Sequence, residues 1–229
     1  MFADGVNYNK SSSKTIWALL SSIVELPQLL RESHENIIAH SLWSGSNPDF
    51  NVFLECYNKQ TSDLLEKGLN FRGRNIRFKI HFFCGDAPAI CKICKSIQFN
   101  GKFGCIKCLH PSFRLNKTTI YPYMKDIPLR SNKIYENQVK KCIEIKEPFE
   151  GIKDESFLSL WLNIPDDIHR EYMHASLIGS FKKMFCYPLI STNHTKSFYI
   201  GKNIFFLKNI LFKNQVEFFF NFLICLRFG

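Results

Sequence analysis

The stretch CKICKSIQFNGKFGCIKC, residues 91–108, carries four cysteines as two Cys-x-x-Cys pairs with ten residues between them. Two intervening residues let both sulfurs of a pair reach one ion from a tight turn, and tetrahedral zinc takes four such ligands at about 2.0–2.3 Å. The two pairs differ in their surroundings. Gly101 and Gly104 precede Cys105 and Cys108, and Pro111 follows, as in a zinc turn. Cys91 and Cys94 share a helical spacing with Ile90, Ile93 and Ile97, which predicts small core residues in the first turns of a helix. The residues therefore point to a metal site of Cys105, Cys108 and His174, with His110 or one upstream cysteine as the fourth ligand.

Nine cysteines in 229 residues are an odd count, and the opening MFADGVNYNKSSS lacks the basic start and apolar run of a secretory signal. This favours reduced, partly metal-binding cysteines in an intracellular chain over a disulfide framework. No run reaches the roughly 18 apolar residues that span a bilayer. The longest candidate, residues 218–226, is shorter and contains Asn221.

The net charge of +10 is uneven. Between Arg72 and Lys146 stand 16 Lys/Arg and four Asp/Glu, a local balance of +12, which leaves the remainder at −2. A basic middle in a near-neutral chain suits a polyanionic partner.

Along the chain, MFADGV reads as the end of a strand, and residues 14–26 and 35–45 as two more, broken by Pro27 and by Gly45 with Pro48. Phe50, Phe53, Leu54, Tyr57, Leu64 and Leu65 recur at helical spacing up to Gly68, so an amphipathic helix is expected there. The alternation of Ile76, Phe78, Ile80 and Phe82 predicts a strand over 75–86 that ends on Asp86. Asp4 and Asp86 would then each terminate a β segment. Residues 111–150 are polar and basic and read as an insertion or long loop; 154–167 and 169–185 return to helical patterning.

Three blocks, in this order, resemble the eukaryotic cut-and-paste DNA transposases of the CACTA-like group. They are DGVNYNKSSSKTIWALLSSIVELP near the start, CGDAPAICKICKSIQFNGKFGCIKCLHP in the middle, and IPDDIHREYMHASLIGSFKKM after it, ending at residue 184; the resemblance as a whole is taken over roughly residues 4–201. The resemblance implies a ribonuclease H-like fold, a mixed five-stranded sheet flanked by helices, here α/β with a zinc-binding insertion and incomplete at both ends. It implies residues 1–100 as the N-terminal part of the catalytic core, 101–185 as a zinc-binding and basic insertion, and 186–229 as a divergent or truncated C-terminal segment.

The family's chemistry uses three acidic residues to hold two divalent cations, Mg2+ or Mn2+. By motif, Asp4 is the first acid and Asp86 the second, and Glu217 is the faint echo of the third. The shared Zn2+ of the family matches Cys105, Cys108 and His174, while Cys91 and Cys94 match nothing it requires. DNA, as transposon ends, is the implied partner; a homo-oligomer is compatible with this, a membrane is not implied, and the nucleus is the implied location.

Three departures are visible. The chain begins almost on Asp4, Glu171 stands where the family has an aspartate before Met-His, and the Glu217 segment lacks the family's tryptophan. The expectation is a transposase-derived DNA-binding chain with weak or absent strand cleavage. The alternatives are a zinc-stabilised, non-catalytic nucleic-acid-binding module and, more remotely, a structural protein without a DNA role.

Overall fold

Alternation of small or apolar residues with exposed ones builds the first strands. In β1 (Phe2–Asn7), Ala3 is buried while Asp4 and Val6 are exposed. In β2 (Thr15–Ser21), Trp17 and Leu19 turn inward. The register pairs Ala3 with Leu19 and Gly5 with Trp17, so the buried row of one strand continues across the next. Gly5 is not a turn glycine. A Cβ there would run into the Trp17 indole, so the large ring demands the missing side chain.

The computed structural model describes residues 1–8 and 14–174. The chain divides into two compact units, Met1–Glu171 and Tyr172–Gly229. The first contains a mixed sheet flanked by helices. A short helix α1 (Gln28–Arg31) follows β2, and β3 (Ile38–Gly45) pairs antiparallel with β2. Two later strands, β6 (Phe83–Gly85) and β9 (Ile168–Arg170), add in parallel, giving the order β3-β2-β1-β6-β9. The fifth strand thus comes from beyond residue 100, inside the segment expected to be an insertion.

Helix α2 (Phe50–Lys67) forms where the sequence predicts it. The Asp49 carboxylate caps its start by accepting from the Asn51 amide, and Gly68 closes its end at positive φ. Phe53, Leu54 and Tyr57 are buried, and Phe50 meets Trp17 edge-on at 5.0 Å. Helix α3 (Ala87–Ile93) adds Ala89, Ile90 and Ile93 to the same core as Phe83 and Ile168. Cys91 and Cys94 are buried beside them, as their helical spacing predicts.

Four local expectations are corrected. Asp4 lies within β1, opposite Ala18, rather than at the end of a strand. The strand expected over 75–86 is two short ones. Residues Leu69–Phe71 (β4) and Arg74–Ile76 (β5) form a separate hairpin, and pairing with β1 starts only at Phe83. The inward residues there are Phe83 and Gly85, of opposite parity to the Ile76–Phe82 alternation, whose members Ile76, Phe78 and Phe82 stay exposed.

Residues 111–150 are not a long loop. They hold a hairpin, β7 (Phe113–Leu115) with β8 (Thr118–Ile120), and the 14-residue helix α4 (Asn132–Ile145). Ser131 caps α4, and Tyr135, Gln138, Val139 and Cys142 form its buried stripe, a narrow one that surrounding lysines obscure in the sequence. Residues 154–167 contain one 3-10 turn, Phe157–Leu160, rather than an extended helix. The helical reading of 169–185 falls on β9 at its start and otherwise largely outside the described residues.

Candidate functional site

Two parallel strands bring the first two predicted acids side by side. Phe2 is paired with Cys84 and Ala3 with Gly85, so Asp4 and Asp86 occupy the next step of the register. Neighbouring strands lie about 4.8 Å apart, which sets the two backbones at roughly that separation. Asp4 is exposed on β1, where Ala3 beside it is buried, and Asp86 follows the last residue of β6 with an extended backbone at φ −69° and ψ 169°. Each carboxylate uses one oxygen on a backbone amide. Asp4 Oδ1 accepts from Gly5 N at 2.7 Å, and Asp86 Oδ1 accepts from Ala89 N, also at 2.7 Å, as the N-cap of α3.

The backbone of a third acidic residue, Glu171, reaches the same strand ends. Gly85 is paired with Arg170, and the amide of Glu171 donates to the Gly85 carbonyl at 2.9 Å. Glu171 therefore follows β9 at the level where Asp86 follows β6. Its charge, after burial, helps push the Cys84 thiol upward. Sequence reasoning missed this placement because nothing in the residues announced that Ile168–Arg170 is a strand. Among the described residues no three His, Cys, Asp or Glu side chains converge as a metal-holding group. Glu217 lies outside the described residues.

The second pair of cysteines is held in a braced turn. A Cβ at Gly104 would collide with the Gln98 carbonyl, so the turn that enters the pair needs glycine. The Cys105 and Cys108 thiols lie near enough to influence each other electrostatically, and both are partly buried. Burial, first, and the neighbouring thiol push the Cys108 thiol up. Beneath them lies Arg130, only 3% exposed. Its guanidinium donates to the carbonyls of Ile106 at 3.1 Å, Cys105 at 3.3 Å and Glu150 at 3.1 Å, and to Gln138 Oε1. Burial pulls its pKa down, and Cys105 and Glu150 partly offset this.

His110 belongs to this turn but not as a spare ligand. Its Nδ1 accepts from Ser112 N at 3.0 Å, and its Nε2 lies 2.8 Å from the Pro122 carbonyl. A carbonyl only accepts, so Nε2 carries the proton and the one ring lone pair is already used. Cys91 donates to the Ile97 carbonyl, and burial raises both the Cys91 and Cys94 thiols. His174 is an exposed residue of Tyr172–Gly229. The fit to zinc within Met1–Glu171 is thus two adjoining thiols.

The basic middle does not all face outward. Arg130 is interior, and Lys107 Nζ is spent on the carbonyls of Pro165 at 2.6 Å and Asp166 at 3.3 Å. Among the described residues no helix is long and apolar enough to cross a membrane. Compared with known proteins, the chain matches no family model, no curated sequence and no solved structure.

Proposed function

We propose that this chain is a transposase-derived, DNA-directed protein of the ribonuclease H-like type, in which Asp4 and Asp86 hold a divalent cation against the DNA backbone. The observation that supports the reading is the parallel pairing of Phe2 with Cys84 and Ala3 with Gly85, which brings the backbones of the two following residues, Asp4 and Asp86, close together. The mixed five-stranded sheet with flanking helices and the excess of basic residues over 72–146 support it. Bound Mg2+ or Mn2+ would activate a water or 3′-hydroxyl and stabilise the departing oxygen. The chain's own part is to present hard oxygen ligands from rigid strand backbones and to supply basic groups for phosphates. Glu171 takes the third place in the row in this reading.

The test is a Mn2+ titration of the purified chain, followed by Mn2+-dependent nicking of a labelled duplex. Saturable binding that Asp4→Asn and Asp86→Asn each weaken at least tenfold is expected, with nicking weak at most. Equal Mn2+ binding by wild type and both variants overturns the reading.

The contact between Cys105 and Cys108 favours a second reading, a zinc-stabilised nucleic-acid-binding module without catalysis. Duplex binding that survives loss of both aspartates, together with bound zinc and no nicking, selects it.

A further inference from the structure

The β4–β5 hairpin stands apart from the five-stranded sheet as its own two-stranded arm. Every residue from Leu69 to Lys79 is exposed. This stretch holds Arg72, Arg74, Arg77 and Lys79 and no acidic residue. Its base is fixed: Arg77 donates to the Glu66 carbonyl at 2.7 Å and Asn75 to the Lys67 carbonyl at 3.1 Å, tying the arm to the end of α2.

The tip is a two-residue turn with positive φ at both Arg72 (50°) and Gly73 (76°), the backbone that keeps a hairpin tightly twisted. Arginine is a costly choice for such a position, where asparagine or glycine is usual. Its guanidinium sits over the exposed Phe71 ring, 5.2 Å from the centroid, and Arg74 is directly opposite Phe71 in the ladder. The two arginines are thereby gathered at the end of a ribbon anchored at its other end.

We propose that the β4–β5 arm is a DNA-docking element that enters the major groove of a B-form duplex and sets Arg72 and Arg74 on the flanking phosphates. This rests on the DNA-directed reading above. The major groove, about 12 Å wide and 8.5 Å deep, admits a two-stranded ribbon, and three paired residues with a turn reach roughly its depth. Guanidinium groups match phosphate oxygens in paired hydrogen bonds, and the absence of any carboxylate on the arm removes the repulsion that would oppose them. A-form RNA has a major groove too narrow for such a ribbon, so the arm selects DNA over duplex RNA.

The experiment uses the full chain and a fluorescent 20-bp duplex, titrated from 0.05 to 0.3 M NaCl. Wild type is compared with Arg72→Ala/Arg74→Ala and with Lys133→Ala/Lys140→Ala, which removes the same charge from the exposed face of α4. The arm variant is expected to bind about tenfold more weakly and to lower the log–log salt slope by about 2, close to one for each phosphate that is no longer neutralised. The α4 variant should keep the wild-type slope, and duplex RNA should compete poorly.

Equal losses of affinity in both variants would mean diffuse charge attraction and overturn the arm as the docking element while leaving the DNA-directed reading standing. Absence of duplex binding by wild type overturns both. Arginine-dependent binding to phosphatidylserine vesicles without duplex binding assigns the arm to a lipid surface instead and also overturns the proposal.

Discussion

The carboxylate of Asp86 accepts the Ala89 amide at 2.7 Å, so the residue that stands beside Asp4 in the register is also the N-cap of α3. Asparagine caps a helix about as well as aspartate, whereas alanine gives up the hydrogen bond at a cost of about 1 kcal/mol. Asp86→Asn should therefore leave the urea midpoint close to wild type while weakening Mn2+ binding. Asp86→Ala should lower stability by about 1 kcal/mol as well. If Asp86→Asn destabilises as much as Asp86→Ala, the loss is one of charge at the helix start and the capping argument fails.

Arg130 ties together the Cys105–Cys108 turn, α4 and the 150 region through one buried guanidinium. Its removal leaves three backbone carbonyls and the Gln138 amide oxygen without their donor, each at roughly 1–3 kcal/mol if it remains buried. Arg130→Met, similar in length and without donors, should cost at least about 3 kcal/mol in chemical denaturation. It should also speed iodoacetamide labelling of Cys105 and Cys108, because the turn they occupy loses its brace. A cost below about 1 kcal/mol would show that water replaces the guanidinium without penalty.

The parts of the fold that were legible in the residues are those whose pattern is local. Helix α2 announces itself through a broad apolar stripe and a glycine stop, and the inward Cys91 and Cys94 share the spacing of Ile90 and Ile93. The central strand pairing is different. Strand β6 is three residues long, and its parity opposes the stronger alternation just before it, so only the parallel partner β1 decides which residues turn inward. Helix α4 hides in a basic segment because four buried positions suffice to seat it. Glu171 could not be placed in the row without knowing that Ile168–Arg170 pairs with β6, a contact across more than eighty residues.

His40 gives the fold a pH dependence with a definite sign. Burial, and secondarily the Met1 ammonium, lowers its pKa below 6.5, and its ring lies 4.7 Å from that of Tyr57 with Nε2 2.6 Å from Ser21 Oγ. The folded state thus prefers the neutral imidazole. Above pH 6.5 both states are neutral and the contribution is constant. As pH falls below 6.5 the unfolded chain takes up the proton first, so stability declines until the lower folded-state value is passed. His40→Gln should flatten the difference in urea midpoint between pH 7.5 and 5.5. A wild-type profile that is already flat across this interval would remove His40 as a contributor.

The thiols should separate into two classes. Cys94 is fully buried and Cys91 nearly so, with both thiols raised by that burial, while Cys105 and Cys108 share a partly open turn. In the chelated, folded protein, alkylation at pH 8 should modify Cys105 and Cys108 and spare Cys91 and Cys94 until denaturant is added. Cys108 should react more slowly than a free cysteine, because its raised pKa reduces the thiolate fraction. Zinc added before the reagent should protect the second pair alone, since two adjoining thiolates are half of a tetrahedral set. Cys105→Ser should abolish that protection and Cys91→Ser should leave it intact. Protection lost equally in both variants would mean that the first pair shares the ion, and that the buried helix residues leave the core to reach it.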